Sequence, residues 1–448
     1  MTNDTQAANN AGKNDWLQSY WMPFTPNKAF KANPRINERA EGFYYHTSDG
    51  RKILDSFSGL WCCNLGHRHP KISEAMKAQI DELDYSNAFN FGHPKVFEMA
   101  NVISAQFPGD LDHVFFVNSG SEAADTALKI AIAYQRLKGE GTRTRLIGRV
   151  NGYHGVGFGG ISVGGMVNNR KFFGSLLPGV DHMTFPYDMG SQAFTRGEAD
   201  IDVEPFMKEL EGVIALHDAS TIAAVIVEPF AGSGGVFVPP KNYMKRLREV
   251  TKKHGILLIV DEVISGFGRM GAPNAATYFG VEPDIVTIAK GINNGAVPMG
   301  AAIVRKEIYD TFMEAMPVGV EFFHGYTYSG HPLAAAAALA TQQIFAEEGV
   351  YDHAKEMSAY FEEAAHSLKG EPHVIDIRNI GLAAGVTVET RAGAPGARGT
   401  DVFLKTYEND VAIRANGDNL AIAPILTMGK AEIDQTIEAL RKGLRAAA

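Results

Sequence analysis

The chain has 448 residues, 45 % of them apolar, and a formal charge of −9. That length and apolar content suit one large core plus at least one smaller domain. The acidic balance argues against a nucleic-acid partner and leaves no basic patch for a membrane, and no apolar run is long enough to span a bilayer.

The first ten or so residues read as loose, and residues 1–20 are polar and lack the apolar core of a signal peptide. Trp21-Met22-Pro23-Phe24 is an aromatic element whose burial would tie this end down. Residues 42–56 read as a hairpin, Phe43-Tyr44-Tyr45 and Lys52-Ile53-Leu54-Asp55 around a turn at Asp49-Gly50. The only cysteines, Cys62 and Cys63, are adjacent. Neighbours in sequence rarely bridge comfortably, so a reducing cytoplasm is expected. A helical pattern runs over 70–80. A strand over 113–117 then meets the turn Ser119-Gly120-Ser121, and a helix follows with Ala124, Leu128 and Ala131 on its apolar face. Further strands are expected over 144–147, 223–227, 256–260, 285–289 and 301–304, with a helix over 243–253. Such alternation implies an α/β unit with a mainly parallel sheet covered by helices. The glycine-rich stretch 158–190 reads as a long functional loop. After Pro332 a long helix, with its Ala334–Ala340 run packed, leaves this unit. Short strands over 374–377, 385–388 and 420–423 and a last helix over 430–444 suggest a separate α+β domain.

Chemistry collects at strand ends. Ser119-Gly120-Ser121, Glu228, Asp261 and Lys290 each follow an apolar strand, so parallel strands bring them to one sheet edge, where open α/β sheets place ligands. Gly120-Ser121 opens a helix whose free amides and dipole suit a phosphate; a plain serine N-cap reads equally well there. Asp261 ends a run too apolar to leave a charge unpaired. It is either a salt-bridged structural residue or the partner of a protonated pyridine nitrogen. Glu262 has the option of a neighbouring arginine. Lys290, between Ala289 and Gly291, is either a solvent-facing lysine or an amine desolvated enough to attack an aldehyde. A phosphate turn, an acid for a pyridinium and an imine-forming lysine are together what pyridoxal phosphate asks of a protein.

Tyr153, within Asn151-Gly152-Tyr153-His154-Gly155, has glycines on both sides that let its ring lie over a flat cofactor; a structural turn is the alternative. Glu228, before Pro229, is placed to hold a water or an arginine near that ring. Arg414, in the strand-like Val411-Ala412-Ile413-Arg414-Ala415, is a surface arginine or a fork for a substrate carboxylate. The first glycine turn lacks the G-x-G-x-x-G spacing of a dinucleotide site, and such a site has no use for Lys290.

With these motifs the chain resembles class III pyridoxal-phosphate aminotransferases over nearly its whole length. The resemblance rests on Asn118-Ser119-Gly120-Ser121-Glu122-Ala123, Asn151-Gly152-Tyr153-His154-Gly155, Asp261-Glu262-Val263, Gly266-Phe267-Gly268-Arg269 and Ala289-Lys290-Gly291. Trp21-Met22-Pro23-Phe24, Ser58-Gly59-Leu60-Trp61, His324-Gly325-Tyr326-Thr327-Tyr328-Ser329 and the Arg414 segment are similar to the ω-amino acid–pyruvate (β-alanine–pyruvate) branch. The resemblance implies the α/β fold type I of these transferases: a large cofactor domain over 76–333 around a mainly parallel seven-stranded sheet, a small α+β domain over 334–448, and an N-terminal segment, 1–75, shared with the small domain and the active site. It implies that Lys290 holds pyridoxal 5′-phosphate as an imine and moves the proton, and that Asp261 pairs with the pyridine nitrogen. Tyr153 and Val263 would cover the two ring faces. Ser119, Gly120 and Ser121 would hold the phosphate, together with Thr327 of a second subunit, and His154 and Glu228 would lie beside the cofactor. Phe24, Leu60, Trp61, Tyr153 and Ala231 would line the substrate cavity, with Phe89 lent by the partner, and Arg414 would bind a carboxylate. A cytoplasmic homodimer with shared sites, or a homotetramer, follows, as does transfer of nitrogen from an ω-amino acid or primary amine to pyruvate. No metal is implied. Another donor, 2-oxoglutarate as acceptor, or an aminomutase, racemase or decarboxylase reaction are the alternatives.

Overall fold

The structure, a computed structural model, describes residues 15–315 and 318–447. The looseness expected of the first ten residues lies outside that range.

A seven-stranded sheet organises the molecule. Its spatial order is Leu111–Val117, Gly300–Arg305, Ile285–Ala289, Leu257–Asp261, Ile222–Val227, Arg145–Arg149 and Val180–Met183. Only Gly300–Arg305 runs against its neighbours; every other adjacent pair is parallel. The three central strands, Ile222–Val227, Leu257–Asp261 and Ile285–Ala289, are buried at every position. A continuous apolar run is stable only where helices cover both faces of the sheet. Side chains alternate accordingly. Leu257, Ile259 and Ile285 join Ala127, Leu128 and Ala131 of the helix Gly120–Leu137 on one side. Leu258, Val260 and Val225 meet Met207 and Leu247, from the helices Glu204–His217 and Tyr243–Lys253, on the other.

Two smaller four-stranded sheets flank this unit. One joins Asn37–Glu41, Tyr44–Thr47 and Lys52–Asp55 to Val411–Ala412. The other contains Val374–Ile380, Ala383–Val388, Asn419–Ile422 and Arg414–Asn416. The helix Pro332–Glu347 buries Ala334 to Ala338, as its composition suggests.

Several expectations need correction. The stretch 158–190 is not all loop: it holds the short helices Phe158–Val163 and Val167–Arg170 and the edge strand Val180–Met183. That strand, Val-Asp-His-Met, is polar because only one of its sides is paired. Residues 411–415 are not one strand. Val411–Ala412 pairs parallel with Leu54 and Asp55, and Arg414–Asn416 pairs antiparallel with Asn419–Ala421, so the chain changes sheets at buried Ile413. The aromatics of 21–24 do not tie the end down by burial within this chain: Trp21 is 88 % and Phe24 62 % exposed. Among the described residues no helix is long and apolar enough to cross a membrane.

Candidate active site

Strand register gathers the chemistry. Asp261 stands opposite Thr287, three residues before Lys290, and Val227 opposite Val260 puts Glu228 beside Asp261. All three groups leave the same edge of the sheet.

Lys290 opens a short 3-10 turn with φ of +52°, a left-handed conformation unusual for a residue with a Cβ. Such strain persists only where the surroundings impose it, and it collects at functional sites. Burial pulls its amine below the usual lysine range, opposed by the acidic groups around it, Cys62, Asp261 and Glu228. A neutral amine is the nucleophilic form. Cys62 is a neighbour that sequence reasoning left without a role. It packs on the turn after Lys290, for a Cβ on Gly295 would lie 2.9 Å from Cys62 Cβ, and the Gly295 amide donates to the Lys290 carbonyl. Both cysteines are free thiols.

Asp261 is 5 % exposed. Its Oδ2 accepts from His154 Nδ1 at 2.7 Å and its Oδ1 from the Val263 amide at 3.1 Å. Glu262 has no arginine partner among the described residues; its carboxylate accepts the amides of Ala275 and Ala276 instead. Burial raises it to about 7. Glu228, also raised to about 7 by burial, accepts the Tyr153 amide at 2.9 Å and so seats the Asn151–Gly155 turn. The arginine beside it, Arg149, donates to the Glu228 backbone carbonyl and not to the carboxylate. Arg149 was readable by the rule that singled out Asp261: a charge at the end of a buried strand, here fully enclosed.

The phosphate turn is tied at both of its ends. Ser119 Oγ accepts the Glu122 amide, and the Glu122 carboxylate accepts the Asn118 amide at 2.7 Å. The serine N-cap is therefore real for Ser119. The first helical amides, those of Gly120 and Ser121, have no acceptor within a helix and point out of it. Ser121 Oγ takes the Val156 amide at 3.1 Å and keeps its own proton to donate. The backbone crowds here: a Cβ on Gly120 would meet Val263 Cγ1 at 2.8 Å, and one on Gly155 would meet Ser121 Oγ at 2.4 Å. Amides, hydroxyl, acid and desolvated lysine thus lie at one edge of the sheet, with Val263 against Gly120 and the Tyr153 phenol near enough to feel Asp261, a donor set that fits a phosphorylated pyridine aldehyde.

The outer residues divide. Leu60 and Phe24 present themselves to solvent, whereas Ala231 is enclosed. Trp61 is only 3 % exposed; it packs edge-on to Phe57 at 5.0 Å and lies under the Arg269 guanidinium at 5.5 Å. Arg269 has no carboxylate partner among the described residues. It donates to the carbonyls of Leu382 and Pro424, to Ser58 Oγ and to Asn64 Oδ1, and so clamps the 58–64 segment. Burial brings it down to about 9. Arg414 is an exposed residue, yet burial of its guanidinium pulls it below the usual arginine range, opposed by the phenol of Tyr153. Thr327 is exposed and outside this cluster; its carbonyl accepts the Tyr85 hydroxyl. Phe89, 55 % exposed, lies against Gly325, two residues from Thr327. The two residues expected to reach a partner subunit therefore share one open face.

A family model described as Aminotransferase class-III matches residues 27–444. The chain is 51 % identical over 97 % of its length, and 98 % of the other's, to an omega-aminotransferase of Caulobacter vibrioides. It is 48 % identical to a beta-alanine–pyruvate aminotransferase of Pseudomonas aeruginosa, over 96 % of each chain. Among solved structures, an (S)-enantioselective omega-transaminase from Thermomicrobium roseum superposes with a TM-score of 0.90 at 35 % identity, covering 100 % of this chain and 99 % of that one. With the lysine, the acid and the phosphate turn converging as described, the chain belongs to the class III aminotransferases, enzymes that depend on pyridoxal 5′-phosphate.

Proposed function

We propose that the enzyme moves an amino group from an ω-amino acid such as β-alanine, or from a primary amine, to pyruvate, in two half-reactions, leaving an aldehyde or ketone and L-alanine. The observation that carries this reading is the placing of Lys290 and Asp261 at the ends of adjacent buried strands, in register, with Arg414 at the open side near Tyr153. The relatives named for ω-aminotransfer and for β-alanine and pyruvate support the choice of substrates.

Bound pyridoxal phosphate supplies an electron sink for the carbon that loses its proton. The chain's own residues do the rest. Lys290 would hold the cofactor and, as a neutral amine, move the proton. Asp261, oriented by His154 and Val263, would keep a positive charge on the ring nitrogen. Val263 and Tyr153 would cover the ring, and Ser119, Gly120 and Ser121 would hold the phosphate. Glu228 and His154 would stand beside the ring. Phe24, Leu60, Trp61 and Ala231 shape the substrate side.

Two subunits complete each site in this reading, Thr327 reaching the neighbour's phosphate and Phe89 its cavity. The exposed aromatics Phe89, Phe91, Phe323 and Tyr328 support an interface there, since large apolar patches are rarely left bare. Sedimentation of a fully active monomer rejects this. We also propose the division into 1–75, 76–333 and 334–448, and a cytoplasmic setting, which the two free thiols support.

A panel of amine donors run against pyruvate and against 2-oxoglutarate, with product detection, tests the substrates. Turnover with 2-oxoglutarate alone overturns the choice of acceptor. Arg414→Ala gives a sharper test. Losing a charge-assisted fork of ~1.5–3 kcal/mol raises KM for pyruvate about 10- to 100-fold. The half-reaction with uncharged 1-phenylethylamine keeps its rate, because that donor offers the arginine no carboxylate. Rapid-mixing measurement of each half-reaction separates the two; equal losses make Arg414 structural.

A further inference from the structure

Glu228 has chemistry that the reaction described so far does not use. It is 4 % exposed and lies at the sheet edge beside Asp261, on the neighbouring strand. The charged or ionisable groups that face it are His154 and Asp261, Arg149 from the next strand along, and the Tyr153 phenol and Lys290 amine, both of which feel its charge.

The charges can be counted. Arg149 is enclosed, and a guanidinium stays protonated at any working pH. His154 donates through Nδ1 to Asp261, and its buried Nε2 has no partner among the described residues. Before the cofactor arrives, a single ionised carboxylate at this sheet edge is enough to offset Arg149, whose charge Glu228 feels. A protonated pyridine then adds a second buried cation, and one carboxylate cannot balance two. Unbalanced charge in a desolvated site is expensive.

We propose that Glu228 is a positioning residue that ionises to balance Arg149, so that the whole charge of Asp261 is left for the pyridine nitrogen, while its Oε1 seats the Tyr153 amide. This rests on the pyridoxal-phosphate reading of the same site. Burial holds Glu228 at about 7, so near neutral pH it is poised between its two forms. Two consequences follow. Filling the pocket drives a proton from Glu228. Its charge also raises the pH at which the lysine–cofactor chromophore loses its proton.

Glu228→Gln separates charge from shape, since the amide oxygen still accepts from Tyr153. The loaded variant is expected to show its visible-band titration midpoint lowered by about one pH unit. Glu228→Asp keeps the charge and gives up the reach to Tyr153, and its midpoint is expected to stay near that of the wild type. The second readout uses pyridoxamine 5′-phosphate, which cannot form an imine with Lys290. Calorimetric titration of the cofactor-free enzyme at pH 7, in buffers of different ionisation enthalpy, counts protons released. Wild type is expected to release more per site than Glu228→Gln. Equal midpoints and equal proton counts overturn the proposal, as do equal midpoint shifts in both variants. Should Glu228→Gln not fold, the wild type still decides. Its affinity for pyridoxamine 5′-phosphate must climb with pH towards about 7 and flatten above it, and a flat profile below 7 overturns the proposal. A wild type that binds neither cofactor form and shows no visible band defeats the pyridoxal-phosphate reading instead, which is a distinct outcome.

Discussion

Lys290→Ala is expected to abolish the visible band and to lower kcat by about 10⁴-fold or more. Two functions vanish together. The covalent attachment goes with the amine, and so does the group that moves the proton, whose loss alone costs up to ~10⁴ in rate. The structure argues that this is chemistry and not damage to the fold. The site is already strained, φ of +52° being no easier for alanine than for lysine, and the removed amine is one whose charged form burial disfavours. The cofactor-free variant should therefore melt close to cofactor-free wild type. Borohydride reduction of the wild type, followed by peptide mapping, must place the adduct on Lys290. An adduct on another lysine sinks the assignment.

Asp261→Asn is the second large effect. The side chain keeps its shape but loses its charge, and one oxygen now serves two donors, His154 Nδ1 and the Val263 amide. Whichever way the amide turns, its NH₂ faces one of them. The ring nitrogen loses the anion that keeps it protonated, and that matters most as negative charge develops on the reacting carbon. A loss of ~3 kcal/mol at that point is a factor of ~10² in rate. Single-turnover rates should fall by at least that much while KM for the donor changes little, and cofactor should leak from the variant on dialysis. Unchanged turnover together with unchanged cofactor affinity would falsify the role.

The parts of the molecule legible from sequence were those where burial is complete. Ile222–Val227, Leu257–Asp261 and Ile285–Ala289 are apolar throughout because helices cover both faces, so their polar ends stood out. That contrast exposed Glu228, Asp261 and Lys290 before any contact was known. Polar strands at edges left no such mark. Asn37–Glu41 is mostly exposed and carries Asn, Glu and Arg, and Val180–Met183 mixes Asp and His with apolar residues. The break at Ile413 was hidden because both of its flanking strands are very short. Buried guanidinium groups were the other blind spot. Two of the four acceptors of Arg269 are main-chain carbonyls, which every residue owns, and the other two are neutral side-chain oxygens, so no opposite charge announces it.

That clamp bears on how the protein comes to life after synthesis. The four acceptors of Arg269 lie between 113 and 211 residues away along the chain. Contacts between segments so distant form slowly, because the intervening chain must first be ordered. Ser58 and Asn64 bracket Leu60 and Trp61, so this turn acquires its shape only after Leu382 and Pro424 have docked. A nascent chain can build its central strands well before Leu382 and Pro424 are made, yet the 58–64 turn is not clamped until they are.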